Sequence, residues 1–138
     1  MAQTIRTSAM TLVAAANAAV RTLSVAEARA LHGRADVTFV DIRDVREVAK
    51  TGRVAGAHHV PRGMLEFWID PESPYVKPEF QQPGKRYLFF CASGEGWRSG
   101  LSAQVAQELG LTPVCRMTGG FKAWKEAGGP VETPKPKQ

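Results

Sequence analysis

The sequence predicts one α/β domain: a small parallel sheet of about five strands with helices on both faces. Short apolar runs, such as Val37–Asp41 and Tyr87–Phe90, alternate with stretches that carry apolar residues at helical spacing. Alternation of this kind is typical of a parallel sheet covered by helices. A chain of 138 residues that is 43% apolar can also bury a sizeable core without disulfides or a metal.

Three segments divide the chain. Residues 1–22 are predicted as a helical extension, residues 23–131 as the domain and residues 132–138 as a flexible tail. Leu12, Val13, Ala16 and Val20 fit one face of a helix, and Asn17 interrupts the apolar run, which argues against a secretory signal. No run approaches the length of a membrane span, about 20 residues.

The first half of the domain carries local start and stop signals. Ser24 is predicted to cap a helix, with Glu27 completing a capping box. The elements expected after it are a strand at 37–41, a short helix at 44–49, a strand at 57–61, a helical piece at 64–69 and a surface excursion at 70–83. Four prolines in that last segment argue against regular structure.

The second half contains the most informative segment, residues 89–100. A buried strand, Tyr87–Phe90, precedes Cys91, and a helix is expected from Ser99 onward. The last strand is predicted at Val114–Met117 and the last helix at Phe121–Ala127. Cys91 therefore lies at the carboxyl end of a central strand, where α/β proteins gather their functional groups.

Cys91 is the predicted nucleophile. A cysteine that serves only packing needs no glycine-rich loop after it, whereas Gly94 and Gly96 allow successive N–H groups to turn toward one point beside the sulfur. The helix end and the Arg98 guanidinium add positive potential, which favours thiolate over thiol. The predicted anion-binding residues follow Cys91 along the loop: Ala92, Ser93, Gly94, Glu95, Gly96, Trp97 and Arg98.

Two further predictions concern the surroundings of this loop. Arg62 follows a strand end and is expected to line the pocket mouth, with a solvated loop arginine as the alternative. Glu95 would oppose a thiolate, so it is expected to point outward or to pair with Arg62 or Arg98. Trp97 is expected to be partly exposed.

Other reactive side chains are interpreted as structural. Asp41 and Arg43 more often form a network with a neighbour such as Glu47 than a site. Adjacent histidines, His58 and His59, face opposite sides of a strand, so no metal site is predicted. Cys115 is expected in the core, and a disulfide with Cys91 is the alternative.

Composition restricts the partners. A net charge of +5 favours a small anionic substrate, while the scattered basic residues argue against nucleic acid. Two cysteines are too few for a disulfide framework, and a reactive thiol suits a reducing compartment, so a cytoplasmic location is expected. A monomer or a homodimer is expected.

Three segments in order resemble the rhodanese-like family in its single-domain form, over roughly residues 24–131. The first is Asp41–Glu47 followed by Gly52–Ala57, the second is the loop Cys91–Ser99, and the third is Gly119-Gly120-Phe121-Lys122-Ala123-Trp124. Each motif is weak alone, but together they are specific.

The resemblance implies a rhodanese-like fold and a sulfurtransferase without metal or organic cofactor. Cys91 would take the outer sulfur of thiosulfate or a similar donor as a persulfide. The acceptor would then be cyanide or a thiol, including a protein thiol.

The loop departs from the family pattern. Six residues separate Cys91 from Arg98, whereas the sulfurtransferase loop usually has four before its closing basic residue. Longer loops on this fold occur in dual-specificity phosphatases and some arsenate reductases, so a cysteine-dependent phosphatase or arsenate reductase is an alternative. A persulfide carrier or regulatory binding module, which meets a protein through residues 64–83 and Trp97, is another.

Overall fold

The structure is a computed structural model that describes residues 2–133. The strands in chain order are β1 Arg21–Leu23, β2 Val37–Asp41, β3 Arg53–Val54, β4 His58–His59, β5 Arg86–Phe90, β6 Val114–Met117 and β7 Val131–Glu132. The α-helices are α1 Ala9–Ala19, α2 Val25–Leu31, α3 Val45–Thr51, α4 Leu65–Ile69, α5 Trp97–Leu109 and α6 Gly120–Glu126. Short 3-10 turns lie at Arg62–Met64 and Pro78–Phe80.

Five strands form one parallel sheet in the order β1-β6-β5-β2-β4. Residues 87–90 of β5 are buried, because this strand is central and covered on both faces. The predicted class, a small parallel sheet of about five strands between helices, is confirmed. The order of the strands also brings the carboxyl ends of β5 and β6 side by side.

The core is divided by the sheet into two apolar clusters. One cluster joins β5 residues such as Phe89 to α4 and α5 through Leu65, Ala103 and Ala106. The other joins Leu88 and Phe90 to α2 and α6 and includes the fully buried Trp124. Alternate residues of β5 therefore face opposite layers, as the two-residue strand period requires.

Local capping follows the sequence signals. Ser24 caps α2 and exchanges side-chain and backbone hydrogen bonds with Glu27, which confirms the predicted capping box. Asp44 and Glu47 form a second box at the start of α3. Each box satisfies N–H groups that a helix start leaves without a partner in the helix.

The amino-terminal segment differs from the prediction at its end. Ser8 caps α1, and the helix packs against α5. Val20, predicted on the helix, is extended and caps its end, and the next three residues form the edge strand β1, which was not predicted. Strand β1 has only three residues, and its first two are polar and exposed, so it carries no alternating pattern in the sequence. Its extended conformation comes from its pairing with β6.

The carboxyl end of the described chain is paired. Strand β7 pairs antiparallel with β3, and Arg53 donates to the Glu132 carboxylate at 2.8 Å. Glu132, which the sequence placed in the tail, is therefore bound to the domain. Residues 134–138 of the predicted tail lie outside the described residues. Between residues 2 and 133, no helix has the length and apolar character to cross a bilayer.

Candidate active site

Cys91 follows directly after β5 and is buried, with 3% of its surface exposed. Its Sγ lies 3.5 Å from Oγ of Ser99, a fully buried residue in the first turn of α5. Ser99 also donates to the Gly96 carbonyl. The helix thus brings a hydroxyl to the sulfur. Sequence reasoning quoted Ser99 only as the end of the motif and gave it no role.

Surrounding elements bind the carbonyl oxygens of the loop after Cys91. Helix α6 supplies the first two hydrogen bonds, from Phe121 N–H to Cys91 and from Lys122 N–H to Ala92. The remaining acceptors and their donors are Gly94 with Gly119 N–H, Glu95 with the Arg116 guanidinium, and Gly96 with Gly100 N–H. Five carbonyls of a short loop are consequently bound by β6, α5, α6 and the turn before it.

By contrast, four N–H groups of the same loop make no hydrogen bond within the described chain. Among residues 2–133, no backbone or side-chain group accepts a hydrogen bond from the N–H groups at residues 92, 93, 95 and 96. A run of backbone N–H groups without acceptors is a ready site for an anion. The hydrogen-bond pattern therefore leaves backbone N–H donors available in the loop next to Cys91.

Gly120 makes this arrangement possible. A Cβ at this position would lie 2.5 Å from the Ala92 carbonyl carbon and 2.7 Å from the Cys91 carbonyl oxygen. Its φ of 62° also belongs to the left-handed region. The second glycine of the carboxyl-terminal motif thus lets the start of α6 approach the loop closely enough to bind its carbonyls.

A cleft of about 590 Å³ opens over the loop. Its lining residues are Met10, Ala92, Ser93, Gly94, Glu95, Trp97 and Arg98. Met10 comes from α1, so the amino-terminal helix forms one wall, which the sequence did not indicate. Trp97 is 56% exposed, as expected for an indole at the mouth of a pocket.

Two predicted site residues do not line the cleft. Gly96 is buried beneath the cleft, where its left-handed backbone starts α5. Arg62 does not line the cleft, because its guanidinium is bound at 2.7 Å to Glu66, four residues along the chain. The solvated-arginine alternative describes it better. Glu95 points outward and is exposed, and both arginines proposed as its partners are bound to other carboxylates.

Arg98 is at the cleft, but its charge is shared. Its guanidinium makes two hydrogen bonds to the Glu47 carboxylate, at 2.5 and 3.1 Å. This pairing lowers the pKa of Glu47 and raises the pKa of Arg98. Arg98 therefore ties α5 to α3 across the edge of the cleft instead of pointing freely into it.

Asp41 and Arg43 form a buried structural network. The guanidinium of Arg43 binds the Asp41 carboxylate at 2.8 Å, donates to Thr51 and Gly52, and stacks over the Phe121 ring. The network was predicted, but its further partners are these groups and not Glu47. It supports the turn after α3 and does not reach the cleft.

Besides Met10 and Ser99, sequence reasoning missed Arg116 and Asn17. Arg116, on β6, is 6% exposed and donates to the carbonyl of Glu95. Asn17, on α1, reaches the same carbonyl at 3.5 Å. A lone arginine in a predicted core strand was the available signal for Arg116, since charged residues are rarely buried without a purpose.

No metal site is evident in the part of the chain that the structure describes, where no three histidine, cysteine or acidic side chains cluster. His59 donates from Nε2 to the Arg43 carbonyl at 2.6 Å, and His58 is exposed. Cys115 belongs to the cluster on the opposite face of the sheet from Cys91, and burial raises its pKa to about 11. Both thiols are free.

The chain is similar in sequence and in fold to known proteins. The family model described as a rhodanese-like domain matches residues 24–127. A protein of unknown function from Rhodopseudomonas palustris, described as a possible tyrosine phosphatase, is 50% identical with a TM-score of 0.90, covering 96% of this chain and 99% of that one.

Two solved structures are more distant. A rhodanese-related protein from Thermoplasma volcanium is 26% identical with a TM-score of 0.63, covering 81% of this chain and 97% of that one. A thiosulfate sulfurtransferase from Pseudomonas aeruginosa is 24% identical with a TM-score of 0.73, covering 94% of this chain and 23% of that one. At that identity the second similarity concerns the fold.

Proposed function

Because this chain belongs to the rhodanese-like family, we propose that it is a sulfurtransferase in which Cys91 carries the sulfur as a persulfide. The observation that carries the proposal is the loop beside Cys91. Its carbonyls are bound by neighbouring elements, while its N–H groups at residues 92, 93, 95 and 96 have no acceptor among residues 2–133. Such a loop suits an anion held at a nucleophilic sulfur.

The reaction consists of two displacements. The Cys91 thiolate attacks the outer sulfur of thiosulfate, the sulfur–sulfur bond of the donor breaks, and sulfite leaves with the bonding electron pair. Cys91 then carries a persulfide. An acceptor, cyanide or a thiol, attacks the terminal sulfur and releases the Cys91 thiolate, so the two steps balance without an external oxidant or reductant.

The loop can serve each anionic species in turn. Its N–H groups would stabilise the thiolate, then the negative donor, then the persulfide, in a cleft partly shielded from water. In the structure Ser99 Oγ accepts from the Cys91 thiol at 3.5 Å and donates to the Gly96 carbonyl. By rotating away from that carbonyl, the hydroxyl can donate to the thiolate instead. The route needs neither a metal nor an organic cofactor.

The partners follow from this chemistry. The donor is proposed to be a small sulfane-sulfur anion, in keeping with the net charge of +5. The acceptor is proposed to be cyanide or a thiol. The exposed Trp97 at the edge of the cleft supports the proposal that this thiol can belong to a protein.

The test is intact mass of the full chain before and after thiosulfate, with Cys91→Ser as control. We expect a gain of one sulfur, about 32 Da, that cyanide or thiol removes and that the control lacks. Cys91→Ser should also abolish turnover, and retained transfer in that variant would exclude the mechanism. No gain in mass, with Cys91 still open to alkylation, would exclude the persulfide step.

A cysteine-dependent phosphatase is the second candidate, and two observations favour it. The loop is two residues longer than is usual for sulfur transfer, and the 50% identical protein is described as a possible tyrosine phosphatase. In that case the Cys91 thiolate would attack phosphorus, the P–O bond of the ester would break, and the alcohol or phenol would leave with the bonding electron pair and take up a proton. Water would then hydrolyse the phosphocysteine to phosphate and release Cys91. Hydrolysis of an aryl phosphate that depends on Cys91, with no persulfide formed from thiosulfate, would support it. Reduction of arsenate to arsenite by an added thiol, which is oxidised to its disulfide, would indicate an arsenate reductase if it depends on Cys91.

A further inference from the structure

Arg116 lies on the same face of the sheet as Cys91. It pairs in register with Phe89, and both Phe89 and Cys91 belong to the core cluster beneath α5. The neighbours of Arg116 on β6, Cys115 and Met117, belong to the opposite cluster. Because side chains alternate along a strand, the Arg116 side chain enters the layer that contains the Cys91 sulfur.

The guanidinium lies directly beneath the lengthened part of the loop. Its Nη1 donates to the Glu95 carbonyl at 2.5 Å. The same Nη1 is 3.0 Å from the position that a Cβ on Gly96 would take, and Ser99 Oγ is 2.6 Å from that position. Ser99 in turn contacts the Cys91 sulfur. The side chains of Arg116 and Ser99 thus both pack against Gly96, close to the Cys91 thiol.

In the described part of the chain, no carboxylate balances the charge of Arg116. Within residues 2–133, no acidic side chain lies at ion-pair distance from it, and its buried Nε has no hydrogen-bond partner. Burial lowers the pKa of Arg116, and the charges of Cys91 and Glu95 oppose that effect. A buried cation is costly unless an anion compensates it. Of these two charges, that of Cys91 is the buried one, whereas the Glu95 side chain is exposed.

We propose that Arg116 is a positioning residue that holds the lengthened loop through the Glu95 carbonyl and supplies the buried positive charge that stabilises the Cys91 thiolate. It takes the electrostatic role expected of Arg98, whose charge Glu47 already shares. The proton stays on the guanidinium throughout. The inference rests on the proposed function only in taking Cys91 as the nucleophile.

The experiment measures the rate of Cys91 alkylation by iodoacetamide against pH in the full chain, located by peptide mass. Arg116→Met should move the pH midpoint upward by about one unit, roughly a tenfold loss of rate near neutral pH. Arg116→Lys should retain most of the effect because it keeps the charge. The matched control is Arg86→Met, which removes a charge from the opposite end of β5 and should leave the midpoint in place. A folded Arg116→Met protein with the original midpoint would overturn the proposal.

A second measurement needs no variant of Arg116. The Nε–H resonance of Arg116 in the wild-type protein should titrate with the same midpoint as Cys91 alkylation, and the titration should vanish in Cys91→Ser. A resonance that ignores the state of Cys91 would overturn the proposal even if Arg116→Met fails to fold. Alkylation uses no sulfur donor, so failure of thiosulfate loading bears on the proposed function alone.

Discussion

Among residues 2–133, two arginines are buried, Arg43 at 2% and Arg116 at 6% exposure, in contrasting surroundings. Arg43 has a carboxylate partner, a hydroxyl, a carbonyl and an aromatic ring around it. Arg116 has one carbonyl, and no carboxylate among the described residues. The Arg43 guanidinium is fully bonded within a network that supports the fold. The Arg116 guanidinium has an Nε without a partner in the described chain, so it can still bind or stabilise an anion. The comparison predicts that the unsatisfied part of a buried charge, and not burial itself, marks the functional arginine.

The largest expected effect is the loss of stability when the buried network of Arg43 and Asp41 is broken. Arg43→Met leaves the Asp41 carboxylate buried without its partner and should lower the free energy of unfolding by about 3–5 kcal/mol. Urea denaturation measures this loss. Asp41→Asn in the same chain should recover part of it, because the uncompensated charge is then gone. A loss below that of the exposed pair Arg34–Asp36, measured as Arg34→Met, would contradict the comparison.

Substitution of Arg116 should have the opposite pattern of effects, with a small change in stability and a larger change in reactivity. Arg116→Met removes a charge without a carboxylate partner and one hydrogen bond, so the free energy of unfolding should change by no more than about 1 kcal/mol. Sulfur loading from thiosulfate should nevertheless slow severalfold. Urea denaturation and the rate of persulfide formation together separate the two arginines. A loss of stability as large as that of Arg43→Met would show that both are structural.

Arg98, which is paired with Glu47 at the surface, extends the comparison to a partly exposed arginine. Glu47→Gln releases Arg98 into the cleft, so KM for thiosulfate should fall about twofold, at a cost of about 0.5 kcal/mol in stability. The Arg98 hydrogen bond holds the pKa of Glu47 below 4.5. The stabilisation is therefore fully present above that pH and is lost as the pH falls through the lower folded value.

The matched control for this prediction is Glu66→Gln. It releases Arg62, which lies outside the cleft, and should leave KM for thiosulfate unchanged. The acid limb of the stability profile should flatten in Glu47→Gln relative to the wild type. An equal fall in KM for both variants would mean that net charge acts and the position of Arg98 does not.

The two cysteines give the smallest effect. Burial raises the pKa of Cys115 to about 11, so this thiol stays protonated at pH 8 and should take no label in the folded chain. Alkylation should stop at one adduct, on Cys91, and Cys115→Ala should leave its rate unchanged. Peptide mass after limited alkylation tests this. Label on Cys115 under native conditions would show that its side of the sheet opens.

Much of the fold could be predicted from the sequence because it is encoded locally. The apolar runs of β2 and β5 and the capping residues Ser24 and Glu27 each carry their own signal. Strand β1 could not be predicted, since only its partner β6 makes it a strand. The ends of the elements were less predictable than their order.

The candidate site was predictable only along the loop itself. Cys91 and its glycines stand together in the sequence, and the structure brings five residues of the predicted loop to one cleft with Arg98. The side chains that arrive from elsewhere, Met10, Asn17 and Arg116, carry no local signal. The pairing of Arg98 with Glu47 likewise depends on the packing of α5 near α3.

The bonds from α6 to the carbonyls of Cys91 and Ala92 have a consequence for biosynthesis. The residues that shape the loop are made after it, so a ribosome-bound chain that ends before Phe121 lacks the donors that orient the carbonyls. We expect its Cys91 to behave as an ordinary thiol during synthesis. We therefore expect reactivity at Cys91 to appear only after the residues of α6 have been synthesised and have bound the loop.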